Sequence, residues 1–135
     1  MDTNDVDAVI VGAGFSGLYA THKLRNGLKL SVQAFEAAPG AGGVWHWNTY
    51  PGARCDFESI FYSYSFDEDL QREWRWTERF AAQPEIKRYL EHVADRFDLR
   101  RSYRFNTRVT SVVWDEDTAR WRVGTDDGAI TTARF

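Results

Sequence analysis

Three glycines near the N-terminus have the types and spacing of a phosphate-binding turn. Gly12, Gly14 and Gly17 form the pattern GxGxxG, with Phe15 and Ser16 in the two variable positions before the last glycine. In this pattern the first glycine allows a tight turn, the second lets the backbone approach a pyrophosphate, and the third lets a helix pack closely on a strand. The amide groups at the start of that helix then face the phosphates. The chemistry that these residues suit is the binding of a dinucleotide.

An acidic residue at the right distance extends the pattern. Glu36 follows Gly17 by 19 residues and ends an apolar run. A carboxylate at this place binds the two hydroxyls of an unphosphorylated ribose, and it repels the 2′-phosphate of NADP unless a nearby arginine compensates. The motif therefore favours FAD or NAD as the first nucleotide and does not distinguish between them. The alternative, a structural glycine turn beside an unrelated surface carboxylate, is disfavoured because a strand precedes the turn and a helix follows it.

The elements that must position these residues are a strand, a helix and a second strand. Residues 6–11 form a short apolar, β-branched run that predicts a buried parallel strand, and residues 30–36 predict another. Apolar residues recur at helical spacing between them until an Asn-Gly pair predicts the helix end. Residues 6–36 are thus interpreted as a βαβ nucleotide unit, preceded by a disordered lead-in of residues 1–5.

The remainder of the chain predicts three further segments. Residues 37–82 are rich in aromatic side chains without a sustained period, which predicts a long ordered loop, and residues 83–99 predict a helix with Pro84 in its first turn. Residues 103–135 alternate between apolar and polar types and predict a small antiparallel β-meander. The fold class is therefore α/β: one Rossmann-like dinucleotide-binding (FAD/NAD(P)-binding) domain portion over residues 1–135, with a meander.

Composition excludes several other classes of function. The net charge is −3 and basic residues alternate with acidic ones, which argues against a nucleic-acid partner. No signal peptide and no run of ~18 apolar residues is present, so we expect no membrane segment and a cytoplasmic location. A single cysteine, Cys55, excludes an internal disulfide or CxxC pair, and the three histidines lack metal-ligand spacing. Redox chemistry would therefore need a cofactor, and no metal site is expected.

A family resemblance lies in the aromatic segment and beyond it. The motifs that carry it are, in chain order, GGVWHWN (42–48), YPGARCD (50–56), YSYSF (62–66), WRWTE (74–78) and QPEI (83–86). They resemble the Baeyer–Villiger monooxygenases over nearly the whole chain. Among flavoproteins the combination of GGxW with YPGxRCDxES is far more specific than GxGxxG.

The resemblance implies an FAD whose pyrophosphate lies on the glycine turn and whose adenosine ribose meets Glu36. It also implies contacts beside the flavin from Gly43, Val44, Trp45 and Tyr62, and a contact with the adenine from the backbone of Val109. Asp56, the acidic residue of the RCD motif, would lie near the isoalloxazine in a supporting catalytic role, paired with an arginine from another part of the enzyme. The family reduces FAD with NADPH and uses O2 to convert ketones to esters or lactones.

Parts of the family pattern are not found in this sequence. A second GxGxxG for NADPH and the stretch FxGxxxHxxxW are missing, and the sequence ends inside an expected strand. We therefore expect a truncated domain that works with the remaining C-terminal part of the enzyme, where most of the NADPH site would lie. Two alternatives stay open: a stand-alone FAD-binding module without catalysis, and a fragment of another flavin monooxygenase such as an N-hydroxylating enzyme.

Overall fold

A parallel sheet forms the centre of the nucleotide unit. The computed structural model describes residues 4–135, and its three-stranded parallel sheet has the order β2 (Ala8–Val11), β3 (Val32–Phe35) and β4 (Tyr103–Arg104). The strands are short and carry buried small or aromatic residues such as Ala34. Parallel strands need crossover connections, and helices supply both of them here.

A second sheet holds the meander. Its order is β1-β7-β6-β5, with β1 at Asn4–Val6, β5 at Val109–Asp115, β6 at Arg120–Thr125 and β7 at Ile130–Ala133. The last three strands are antiparallel neighbours, whereas β1 pairs in parallel with β7. The α/β fold class with a small antiparallel meander is thus confirmed.

Four α-helices occur in the described part of the chain. They are α1 (Phe15–Thr21), which continues into a π-helical turn (His22–Gly27), α2 (Val44–Trp47), α3 (Glu68–Glu73) and α4 (Gln83–Arg96). None of the helices within residues 4–135 is both long enough and apolar enough to cross a bilayer.

The long helix α4 shares one hydrophobic core with the parallel sheet. Ile86, Tyr89, Leu90 and Val93 recur at helical spacing, and all four are buried. Proline in the first turn suits the helix start, where its missing amide costs nothing. The apolar stripe of α4 therefore faces the core. The chain that follows α4 forms β4, which pairs with β3.

The first strand differs from its sequence interpretation. Residues 6–11 form two strands in different sheets, divided at Asp7. The Asp7 carboxylate accepts hydrogen bonds from the amide and hydroxyl of Ser31, both at 2.8 Å. The backbone carbonyl of Asp7 accepts a hydrogen bond from the Phe135 amide at 3.0 Å. These bonds turn the backbone from one sheet to the other.

The predicted disordered lead-in is also wrong for part of its length. Asn4 and Asp5 belong to β1 and lie opposite Thr131 and Thr132 of β7. The Asp5 carboxylate also accepts a hydrogen bond from the Thr132 hydroxyl at 2.7 Å, which supports this pairing. Residues 1–3 lie outside the described residues.

The segment beginning at Tyr103 was expected to open the meander. Instead, β4 pairs in parallel with β3, with Tyr103 opposite Ala34. Alternation along residues 103–107 could not distinguish the two sheets, because it indicates a strand and not its neighbour.

Candidate nucleotide-binding site

The glycine turn joins β2 to α1 with almost no space between them. Gly12 has a φ of +102°, and its amide donates to the Phe35 carbonyl at 2.8 Å. A Cβ built on Gly17 would lie 1.9 Å from the carbonyl oxygen of Gly12, so only glycine allows this approach of α1 to β2. The requirement for glycine at positions 12 and 17 is therefore explained by the backbone geometry of the turn.

The amide groups at the start of α1 are available to a ligand. Within residues 4–135, no hydrogen-bond acceptor meets the backbone amides of Gly14, Phe15 and Ser16. Gly14 caps the helix without a side-chain hydrogen bond, and Ser16 is exposed. Free amides at a helix start bind anions such as a pyrophosphate.

Glu36 is buried beside the turn, with 6% of its surface exposed. One carboxylate oxygen accepts the Ala13 amide at 2.7 Å, and the other accepts the Ala38 amide at 2.8 Å. These two bonds offset the cost of burying the charge and fix the orientation of the carboxylate. Each oxygen keeps a further lone pair, which suits a pair of ribose hydroxyls.

A cavity of about 240 Å³ opens at the carboxyl end of the parallel strands. Its lining brings together Gly12, Glu36 and Val109, which sequence reasoning had placed on one ligand. Ligands of open parallel sheets bind at this edge. The volume is below the ~300–1,000 Å³ of pockets that enclose whole small molecules, so the cavity fits one end of a dinucleotide.

Sequence reasoning missed other residues of this cavity. Trp47, Thr107 and Arg108 also line it. Thr107 and Arg108 directly precede Val109, a predicted contact, but nothing in their types or spacing indicates that they line the site. Trp47 comes from α2 and belongs to the GGVWHWN motif, but nothing in the sequence places it at this cavity.

The GGVW segment lies directly on the glycine turn. The Gly42 amide donates to the Ala13 carbonyl at 2.9 Å, and a Cβ on Gly43 would lie 2.8 Å from the Cα of Gly14. Gly43 also has a φ of +56°, which favours glycine. Two backbones therefore touch where the turn faces α2, and the exposed Val44 begins that helix.

An aromatic cluster adjoins the start of α1. The Trp45 indole donates to the Tyr62 hydroxyl at 3.1 Å, and the Tyr62 ring meets Phe15 edge-on with centroids 4.8 Å apart. The Tyr64 hydroxyl donates to the Phe15 carbonyl at 2.5 Å, and burial raises the pKa of Tyr64 well above its ordinary value. Gln83 donates to the Trp45 carbonyl, which ties α2 to α4. Three predicted residues thus meet beside the turn.

Asp56 stands apart from these groups. Its side chain is exposed and takes part in no hydrogen bond within the described chain. The backbone around it is anchored, since the Cys55 amide donates to the Ala81 carbonyl at 2.9 Å and the buried Ser59 hydroxyl donates to the backbone carbonyl of Glu78 at 2.8 Å. The structure therefore positions Asp56 without joining it to the glycine turn.

Large apolar side chains are exposed along the same segment. Six of them each expose between 56% and 67% of their surface: Val44, Trp47, Tyr50, Phe57, Ile60 and Phe61. These residues, named here the exposed apolar segment, surround the sequence that carries Asp56.

Comparison with known proteins places this geometry in a family. Residues 10–93 match the NAD(P)-binding Rossmann-like domain family. The chain is 52% identical over 97% of its length to a Baeyer–Villiger monooxygenase of Pseudooceanicola batsensis, covering 24% of that protein. It is 49% identical over 100% of its length to the acetone monooxygenase (methyl acetate-forming) of a Gordonia strain, covering 25% of it.

Further relatives widen the range of chemistry. A phenazine N-monooxygenase of Lysobacter antibioticus is 46% identical over 99% of the chain, which covers 25% of that enzyme. The structure of an oxidized steroid monooxygenase bound to NADP superimposes with a TM-score of 0.95 at 62% identity, over 98% of this chain and 25% of that one.

These matches confirm the resemblance seen in the motifs. They also show how much of the relatives' length the chain corresponds to. The chain spans about a quarter of the length of the curated relatives that it matches. It belongs to the NAD(P)-binding Rossmann-like domain family and is a relative of the Baeyer–Villiger monooxygenases, whose N-terminal quarter it matches.

Proposed function

We propose that this chain is the FAD-binding portion of an NADPH- and O2-dependent Baeyer–Villiger monooxygenase that converts ketones to esters or lactones. The observation that carries the proposal is that Gly12 and the buried Glu36 carboxylate line one cavity. The free amides of Gly14 to Ser16 follow Gly12 in the same turn. The names of two relatives, a Baeyer–Villiger enzyme and a methyl acetate-forming acetone monooxygenase, support the reaction class.

The residues present fit FAD. The free amides would hold its pyrophosphate, with Gly12 and Gly17 forming the tight turn and Gly14 leaving space for the phosphates. Glu36 would accept hydrogen bonds from the ribose hydroxyls. Val109 lines the same cavity as Glu36, and its backbone would meet the adenine. When bound, FAD would supply the redox chemistry, accepting electrons from NADPH and activating O2.

The aromatic side would shield the flavin from water. Gly43, Val44, Trp45 and Tyr62 lie beside the start of α1 and would border the flavin end of the ligand. Asp56 would take a supporting role by orienting a guanidinium from the remaining part of the enzyme, because a carboxylate and an arginine pair in bidentate geometry.

The partners follow from the same proposal. They are a small-molecule ketone, O2 and the remaining C-terminal part of the enzyme, which would cover the exposed apolar segment and contribute most of the NADPH site. Apolar exposure of this extent usually marks an interaction surface. We propose a cytoplasmic location as well, because the one cysteine of the chain, Cys55, is a free thiol.

One observation favours a second candidate function. The phenazine N-monooxygenase shares 46% identity with this chain, so oxygen transfer to an aromatic nitrogen is compatible with the same FAD-binding portion. The choice between ketone and nitrogen depends on a substrate pocket outside this quarter of the relatives' length.

The test has two stages. First, the purified chain is titrated with FAD, with NAD and NADP as competitors, and flavin fluorescence is followed. We expect saturable FAD binding that neither competitor displaces at equal concentration; no binding, or preference for NADP, would overturn the nucleotide assignment.

In the second stage the longer polypeptide that contains this chain is assayed for NADPH oxidation with a cyclic ketone and with phenazine, and the products are identified by mass. A lactone supports the first candidate, and an N-oxide supports the second. FAD binding with neither product would identify a binding module without catalysis.

A further inference from the structure

A tyrosine from the far side of the sheet touches the glycine turn. Tyr103, in β4, donates its hydroxyl hydrogen to the Gly12 carbonyl at 3.0 Å and accepts a hydrogen bond from the Thr21 hydroxyl at 3.2 Å. Its side chain is buried, and burial raises the pKa of Tyr103 to about 12. The hydroxyl therefore remains protonated and able to donate at any physiological pH.

The peptide that Tyr103 contacts is held at its other end as well. The carbonyl of Gly12 and the amide of Ala13 belong to one planar peptide group and point in opposite directions. The amide donates to the Glu36 carboxylate at 2.7 Å, while the carbonyl accepts from Tyr103. Rotation of this peptide would break both bonds together.

This arrangement connects β4 with the ribose-binding carboxylate. Gly12 has a φ of +102° and no side chain to hinder rotation of the peptide after it. A Cβ at Gly12 would meet nothing within 4 Å, whereas the Gly12 carbonyl oxygen lies close to the backbone of Gly17, 1.9 Å from the place of a Cβ there. The hydrogen bonds at the two ends of the peptide add to this contact and fix the direction of the carbonyl and the amide.

We propose that Tyr103 is a positioning residue for the nucleotide site: it fixes the Gly12–Ala13 peptide and through it the orientation of the Glu36 carboxylate toward the ribose. The inference rests on the proposed FAD-binding function and assigns part of its affinity to a residue 91 positions from Gly12. Tyr103 does not itself contact the nucleotide.

The test compares two variants that each lose one buried tyrosine hydroxyl. Tyr103→Phe removes the bond to Gly12, and Tyr89→Phe, the matched control, removes a hydroxyl that accepts the Tyr64 amide at 2.9 Å. Both residues are buried, so their thermal midpoints should fall by similar amounts. The FAD dissociation constant should rise about tenfold in Tyr103→Phe and less than about twofold in Tyr89→Phe, since a lost hydrogen bond of ordinary strength corresponds to about a factor of ten.

A double-mutant cycle with Glu36→Gln separates positioning from general loosening of the fold. If Tyr103 acts through the carboxylate, Tyr103→Phe should change the dissociation constant by less than about threefold once Glu36 is replaced, because the two effects are not independent.

The outcomes are distinct. Equal FAD affinity in Tyr103→Phe and Tyr89→Phe would overturn the inference, and so would a tenfold loss that is the same in both Glu36 backgrounds. A parent chain that binds no FAD at all would overturn the proposed function, and the inference with it.

Discussion

The two sides of the candidate site differ in how completely the chain builds them. On the glycine-turn side, Glu36 is buried with both oxygens bonded, and Gly17 and Gly43 lie in backbone contact with Gly12 and Gly14. On the other side, the exposed apolar segment faces outward and the Asp56 carboxylate has no partner among the described residues.

The difference shows which contacts are internal to this part of the polypeptide. In the proposed function, binding of the pyrophosphate and adenosine would depend mainly on groups within residues 6–36 and 103–109, with Trp47 also lining the cavity. The side that would border the flavin includes the exposed apolar segment, which we propose is covered by the remaining part of the enzyme. Substitutions on the first side should therefore lower stability or FAD affinity in this chain, and those on the second should not.

The largest expected effect is on the glycine-turn side at Gly17. Gly17→Ala places a methyl group 1.9 Å from a backbone oxygen that no side-chain rotation can move. We expect the free energy of unfolding to fall by about 3 kcal/mol or more, the upper end of overpacking effects, and FAD binding to be lost. Urea unfolding followed by tryptophan fluorescence measures the change, with Gly40→Ala as the control because its Cβ would meet nothing within 4 Å.

The next effect is expected at Glu36. Glu36→Gln presents an amide nitrogen to one of two backbone amides that now donate to the carboxylate, which leaves a buried donor unpaired. We expect a loss of about 1–3 kcal/mol in unfolding free energy and a weakened affinity for FAD. The same urea titration and a flavin fluorescence titration measure both; an unchanged stability would show that the carboxylate bonds contribute nothing to the fold.

Gly14 should separate ligand binding from stability. Its φ of −86° is open to alanine, and a Cβ there would lie 3.4 Å from the Cα of Gly43, at the border of ordinary contact. Gly14→Ala should keep the unfolding free energy within about 1 kcal/mol of the parent. The methyl group would enter the pyrophosphate path, so the variant should purify colourless under conditions in which the parent retains flavin. A variant as yellow as its parent would contradict the assignment of the turn.

The smallest effect is expected on the opposite side. Asp56→Asn removes a charge from an exposed side chain without a hydrogen bond, and stability should change by no more than about 0.5 kcal/mol. FAD affinity of this chain should also stay the same. A clear loss of either in the isolated chain would break the contrast between the two sides, because it would mean that Asp56 already has a structural role.

Much of the first side could be predicted from sequence. Local spacing identified the glycines, Glu36 and the strand–helix–strand order, since each depends on near neighbours in the chain. Non-local pairing could not be read in the same way. The division of the first strand at Asp7 depends on Ser31 and Phe135, and the place of Tyr103 depends on β3.

The site shows the same division between local and non-local information. The residues of the flavin side came from a family resemblance, and the structure brings Phe15, Trp45 and Tyr62 together. The place of Trp47 at the cavity and the positioning role of Tyr103 could not be predicted from the sequence, because both depend on which elements meet in space.

The parallel pairing of β1 with β7 has a consequence for how the molecule folds. Asn4 lies opposite Thr131, so this contact closes a loop of nearly the whole chain, whereas Trp114 and Trp121 close a short hairpin. Each tenfold increase in loop length costs about 2 kcal/mol of chain entropy. The hairpin should therefore form early and β1 should join its sheet last, after the nucleotide unit has already assembled.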